Sequence, residues 1–224
     1  IPLFIFMGIM LQKSKIAEDL LVTMGQLFGP IPGGLGISVI FVGALLAATT
    51  GIVGATVIAM GLISLPTMLN NKYDKSLASG IVCSSGTLGQ IIPPSIVLVI
   101  LGDVISSANQ QAQLSLGNFS PTSVSVGDLF LGALFPGILL ILSYITYIII
   151  LGIVRPNAFP SVPVEERNKI IEVAFLIHLF KALAPPIFLI LGVLGSILLG
   201  IATPTEAASV GAIGALALSA LKKQ

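Results

Sequence analysis

Residues 35–69 run through the chain without one charged side chain, yet the centre of that run reads AATTGIVGAT, positions 47–56, polar and glycine-bearing. Cut there, each half is about 15–18 residues, or roughly 23–27 Å of helix. A hydrocarbon core is about 30 Å thick. Each half is marginal as a crossing on its own. Two half-helices that meet at a tip, a re-entrant hairpin, fit the lengths better. Only 8% of the chain is charged and its mean hydropathy is +1.10, against roughly 25% charged residues in soluble domains. So few charges cannot cover the surface of a soluble protein this size. The apolar runs are long and do not alternate, which argues against a β-barrel. The fold class that follows is an all-α polytopic membrane protein.

The remaining segments are read around that run. Residues 1–12 look like the tail of a truncated span. In the stretch IAEDLLVTMGQLF, 16–28, Ile16, Leu20, Met24, Leu27 and Phe28 share one helical face, predicting a helix that lies along the interface. The Gly29–Gly34 turn, with Pro30 and Pro32, ends it. Residues 76–101 form a second broken span, interrupted by SSGTLGQIIPPS, 84–95. Residues 103–127 are polar and hold no Lys or Arg. Residues 128–151 read as an ordinary span ended by Arg155-Pro156, residues 164–182 as an interfacial segment and residues 184–201 as another span. The division expected is 1–34, truncated span and interfacial helix; 35–101, hairpin and broken helix; 102–127, periplasmic loop; 128–201, scaffold spans; 202–224, the start of a truncated helix. A start inside a span without Met, and an end at Lys222-Lys223-Gln224, read as a fragment of a longer polypeptide. No signal-peptide pattern is present.

Basic residues give an orientation. Lys13 and Lys15 precede the hairpin and Lys72 and Lys75 follow it. If the hairpin returns to its own side, the broken span crosses to the Lys/Arg-free segment, and the next span crosses back to Arg155, Arg167, Lys169 and Lys181. Every basic segment then faces one side, which the positive-inside rule names the cytoplasm.

A helix interrupted at membrane depth exposes backbone groups that cost several kcal/mol each in lipid, so breaks persist only inside protein or beside a wet cavity. Pro93 and Pro94 carry no amide hydrogen, and carbonyls a turn earlier lose their donors. Thr49, Thr50, Ser84, Ser85 and Thr87 add hydroxyls nearby. Carbonyls and hydroxyls are hard oxygen ligands for a small cation, and half-helix termini add partial charge, as in many secondary transporters. The plain alternative is a kink packed against neighbours, with Gly51, Gly54 and Gly61 serving close helix contact. Two consecutive breaks joined by the short Asn70–Lys75 loop favour the ion site.

Other features read as structural. Thr203, Pro204 and Glu206 form a capping-box pattern, with an ion-facing Glu206 the alternative. His178 has no metal-ligating residue at i±3 or i±4. Cys83 reads as a small packer and permits no internal disulfide. Asp103 and Asp128 flank the polar segment and read as solvated. A net charge of +1 gives no reason to expect nucleic acid. P-loop, H-E-x-x-H and G-x-S-x-G motifs are missing, so no enzyme chemistry, catalytic residue or transition-metal site is expected.

The stretches IPLFIFMGIMLQKSKIAEDLL, GPIPGGLGISVIFVGALLAATTGIVGAT, MGLISLPTMLNNKYDKSLASGIVCSSGTLGQIIPPSIVLVILGD, SVGDLFLGALFPGILL and GIATPTEAASVGAIGAL cover most of the chain. In combination, the IPPS and TPTEAA elements resemble the large membrane subunit, DctM type, of tripartite ATP-independent periplasmic (TRAP) transporters. The resemblance implies an elevator-type secondary transporter in the bacterial inner membrane, built from two inverted repeats. This chain holds mainly the first; the second repeat, with the other half of the site, is missing. It implies a periplasmic solute-binding protein and a small four-helix membrane subunit as partners, the lipid bilayer as solvent, and no cofactor besides Na+ as coupling ion. Import of a small organic acid or related solute is the activity expected. Thr49, Thr50, Gly51 and Gly54 would form the hairpin tip, and Ser85, Gly86, Thr87 and Gly89 the facing break, together holding sodium. Pro93, Pro94 and Ser95 would face the solute. The segment ISSANQQAQLSLGNFSPTSVSV is longer than the simplest members of the family carry. Two other functions remain open on the residues alone: an elevator-type symporter for organic anions that needs no binding protein, and a non-transporting scaffold.

Overall fold

The computed structural model describes residues 2–14, 16–29, 31–160 and 173–221. Among them every regular element is helical. α1 spans Pro2–Lys13 and α2 Ile16–Phe28; α3 (Gly34–Thr50) and α4 (Val53–Asn70) follow. α5 covers Lys75–Thr87, a 3-10 turn Leu88–Gln90, and α6 Ile96–Ser115. α7 is Val126–Val154, α8 Val173–Leu198 and α9 Pro204–Leu221, with a second 3-10 turn at Pro156–Ala158. Three helices are long and apolar enough to cross a membrane: Val53–Asn70, Val126–Val154 and Ile177–Leu198.

The long apolar run folds as two antiparallel arms, α3 and α4. Leu35 at the start of α3 shares a cavity wall with Leu62, Ile63 and Pro66 near the end of α4, while Thr50 and Thr56 touch across the tip. Nearly all of α3 is buried, because α2, α4 and α5 enclose it. Ser38 on its first turns donates to Met24 O of α2 at 2.8 Å. α2 accordingly buries Ile16, Leu20 and Met24, with Leu27 and Phe28 half-buried.

Capping residues set the other starts. Asp74 Oδ1 accepts the amides of Ser76 and Leu77 and opens α5, as a short carboxylate at the N-cap does. Ser125 Oγ accepts Gly127 N–H at 3.1 Å and opens α7. That helix has 29 residues, about 43 Å, more than a hydrocarbon core requires. Its flank is apolar and open, with Phe135 and Ile153 each 75% exposed, as a lipid-facing surface would be.

Three segments meet at one end of the molecule. The Tyr73 ring stands edge-on to Phe159 at 5.4 Å, the Asp74 amide donates to Ala158 O, and Gly152 near the end of α7 packs on Pro32 at the hairpin base. At its opposite end α7 packs Gly127 against Ile197 of α8. Lys181 therefore stands about 24 Å of helix back toward the hairpin base. Ile16 and Asp19 of α2 line a cavity with His178, Lys181 and Leu218. Lys72, Lys75 and Arg155 thus adjoin the hairpin base, whereas Lys13 follows Gln12, whose Nε2 donates to Ala55 O beside the hairpin tip at 3.4 Å. Lys15, Arg167 and Lys169 lie outside the described residues, as do Glu165 and Glu166.

Two boundaries differ from the sequence expectation. The polar segment 103–127 is not all loop, since α6 continues to Ser115. Its Ala and Gln residues are sound helix formers once the chain has left the apolar phase. Asn109 Nδ2 then donates to Thr122 O, folding the remainder back on the helix. The described part of the expected interfacial segment 164–182 is continuous with the next span: α8 begins at Val173 and passes through Pro185 and Pro186 unbroken.

Candidate functional site: the junction of two interrupted helices

α3 stops at Thr50 because Gly51 takes a left-handed conformation, φ +60°, open to a residue without Cβ. Its amide still bonds Ala47 O at 3.1 Å. Ile52 is extended and α4 begins at Val53, so the chain reverses within two residues. The Thr50 and Thr56 hydroxyls lie 2.6 Å apart. Thr56 spends its one proton on Ile52 O, so Thr50 is the donor between them. The arms are pinned at the tip by this buried pair.

The second break lies beside the first. After Thr87 the helix tightens into the 3-10 turn, and the amides of Ile91 and Ile92 both bond Leu88 O. Pro93 and Pro94 bring no N–H, so the carbonyls of Gly89 and Gln90 lose their helical donors. Ser95 repairs one of them: its hydroxyl donates to Gln90 O at 2.9 Å and its oxygen accepts Leu98 N–H, starting α6.

The structure brings most of the expected residues together. Gln90 Nε2 donates to Gly51 O at 3.2 Å. A Cβ on Gly51 would lie 3.2 Å from Ile96 Cγ1, one on Gly89 3.4 Å from Ala47, and one on Gly86 2.9 Å from Val57 Cα. Thr49, Thr50, Ser85 and Ser95 are buried, and so are Gly51, Gly86, Gly89, Pro93 and Pro94. Gly54 and Thr87 stand apart on the open side; both are exposed, and no atom lies within 4 Å of a Cβ on Gly54.

The hydroxyl protons are already committed. Thr49 donates to Leu46 O, Ser85 to Val82 O and Thr87 to Ser84 O, all at 2.7–2.9 Å. What these oxygens still present is lone pairs. The last carbonyls of α3 and the carbonyl of Gly89 likewise lack an i+4 amide. The junction is therefore rich in acceptors and carries no ionised side chain. Such a set suits a small hard cation and not a transition metal, and no metal-binding group of three or more His, Cys, Asp or Glu occurs among the described residues.

Gln90 was not legible as a member of this site, and neither was Thr56. Gln90 acts on a partner that only the folded chain brings near, Gly51 lying 39 positions away, while Thr56 meets Thr50 because the chain reverses in the six positions between them. The proline pair and the glycines marked the break without marking which side chain spans it.

Glu206 does not face the junction's chemistry. Its Oε2 accepts the Thr203 amide and hydroxyl, each at 2.8 Å, and its own amide reaches back to Thr203 Oγ1. This is the capping box read from the sequence, a helix start.

A profile described as "DctM: Tripartite ATP-independent periplasmic transporter, DctM component" matches residues 1–224. The chain is 34% identical over 213 residues to the C4-dicarboxylate TRAP transporter large permease protein DctM of Pseudomonas aeruginosa, covering 95% of this chain and 44% of that protein. It is 33% identical to the DctM protein of Rhodobacter capsulatus, covering 98% and 47%. To the ectoine TRAP transporter large permease protein TeaC of Halomonas elongata it is 29% identical, covering 93% and 43%. The chain thus spans less than half the length of these relatives. A helical membrane chain with two adjoining interrupted helices, matched along its whole length by that profile, belongs to the DctM family of tripartite ATP-independent periplasmic transporters.

Proposed function

We propose that this chain is the first-repeat portion of a sodium-coupled permease that imports a small organic acid or related solute. The solute is handed over by a periplasmic binding protein, and a small four-helix membrane subunit completes the transporter. The permease sits in the bacterial inner membrane with Lys72, Lys75 and Arg155 toward the cytoplasm, in keeping with the positive-inside rule. The hairpin and the broken helix move together as the mobile element of an elevator, within a scaffold to which α7 contributes. The observation that carries this reading is the abutment of the two breaks, where Gln90 meets Gly51 and the surrounding oxygens offer lone pairs without a charged side chain. Backbone and hydroxyl oxygens around Thr49, Thr50, Gly51, Ser85, Gly86 and Gly89 help hold Na+, with Gly54 and Thr87 at its open side. Pro93, Pro94 and Ser95 shape the wall toward the solute.

The test is uptake by the complete permease and its partner subunit in liposomes, with binding protein outside. Uptake is expected to rise with an inward sodium gradient and to stop when the binding protein is left out. Uptake indifferent to both would end this reading.

A further inference from the structure

Gln90 has two unusual properties at once. Its side-chain amide nitrogen reaches Gly51 O across the junction at 3.2 Å, and its Oε1 is buried with no hydrogen-bond partner. Turning the amide over does not help. Gly51 O is an acceptor, and a reversed amide would set two acceptors against each other while losing the only bond. The backbone of the same residue is also engaged, since Gln90 O accepts the Ser95 hydroxyl. One residue therefore touches the end of the 3-10 turn, the start of α6 and the hairpin tip.

We propose that Gln90 is a positioning residue that latches the hairpin tip onto the broken helix. The latch is poised, because closure leaves a desolvated carbonyl oxygen unpaired, an arrangement that works against the bond it makes. Anything that gives Oε1 a partner, such as a cation or a ligand hydroxyl at the junction, tightens the tip; loss of that partner loosens it. On the broken-helix side Gln90 makes the one side-chain hydrogen bond to the tip among the described residues, while α1 holds the other side through Gln12 Nε2 and Ala55 O at 3.4 Å. Gly51 has no side chain and Gly54 packs on nothing. The latch stands on the geometry alone, while its link to ion occupancy rests on the sodium-coupled reading above.

The experiment is hydrogen–deuterium exchange of the complete permease in detergent, comparing parent, Gln90→Ala and Gln90→Met. Methionine keeps the length and volume while removing both polar atoms, so it guards against a simple packing failure. Peptides covering residues 47–57 are expected to exchange about two- to tenfold faster in both variants, the loss of one modest hydrogen bond. Peptides covering 66–75 at the base, and the melting temperature, are expected to stay as in the parent. In the transport assay the half-saturating sodium concentration is expected to rise severalfold with a smaller change in maximal rate. Unchanged exchange at the tip in both variants would overturn the latch. A parent whose uptake ignores sodium would overturn the coupling reading instead, and the exchange data would still judge Gln90.

Discussion

At the scale of single residues, the junction is defined by where a side chain has no room. Gly86 faces the backbone of α4: a Cβ there would lie 2.9 Å from Val57 Cα and 3.0 Å from Val57 N. Neither atom can swing aside as a flexible side-chain end would. Gly86→Val is therefore expected to push the hairpin from the broken helix and to cost about 1–3 kcal/mol, the usual range for overpacking. Gly54→Ala has open space around it and should leave stability within about 0.5 kcal/mol, as surface changes do. Melting of the two variants side by side in detergent checks the contrast, and equal losses would show that the crowding at Gly86 is not what matters. In the sequence the two glycines have the same standing, one in each break; only packing separates them.

At the scale of elements, the interruptions show how far a sequence can be read. The hairpin is legible because the lengths of the two halves and the polar, glycine-bearing centre between them lead to one answer. The broken helix is legible because Pro93-Pro94 follows two glycines, Gly86 and Gly89, in a stretch with weak helical preference. Pro185-Pro186 is the same dipeptide, yet α8 runs through it. There Ala182-Leu183-Ala184 precedes the pair, and strong helix formers hold the geometry across it. Hydropathy also mistook the end of α6, because polarity marks where a chain leaves an apolar medium and not where it stops being a helix. Gln90 lay beyond reach for a different reason: its partner is set by tertiary approach. The start of α9 is the most local element and was read in full. Thr203→Val keeps the shape and removes the hydroxyl that both donates to Glu206 and accepts its amide. A loss of about 1 kcal/mol is expected, read as a lower melting midpoint; no change would mean α9 is held by α1 and α8 alone.

At the scale of the molecule, the convergence of the hairpin base, the α4–α5 loop and the end of α7 makes one titration global. Tyr73 is buried at that meeting point, and burial pushes its hydroxyl up to about 12, against a smaller opposing effect from the Gly36 and Leu35 amides. An exposed tyrosine ionises near pH 10. Below about pH 10 the phenol is neutral in both folded and unfolded chains and stability is unaffected. Between about 10 and 12 the unfolded chain loses its proton first, so stability falls as pH rises, by on the order of 2 kcal/mol. Tyr73→Phe is expected to flatten that decline while melting like the parent at pH 7. An alkaline melting series that is identical for the two proteins would assign the decline elsewhere.

The approach of α1 to the hairpin has a mechanical meaning. At Gly8 even a methyl group would come within 2.6 Å of Thr50 Cα, so the first helix and the reversal point are seated like a ball in a notch. Sliding the hairpin along α1 means climbing out of that seat before any other contact is lost. The smallest residue in the chain thus sets how closely the reversal point rests on α1.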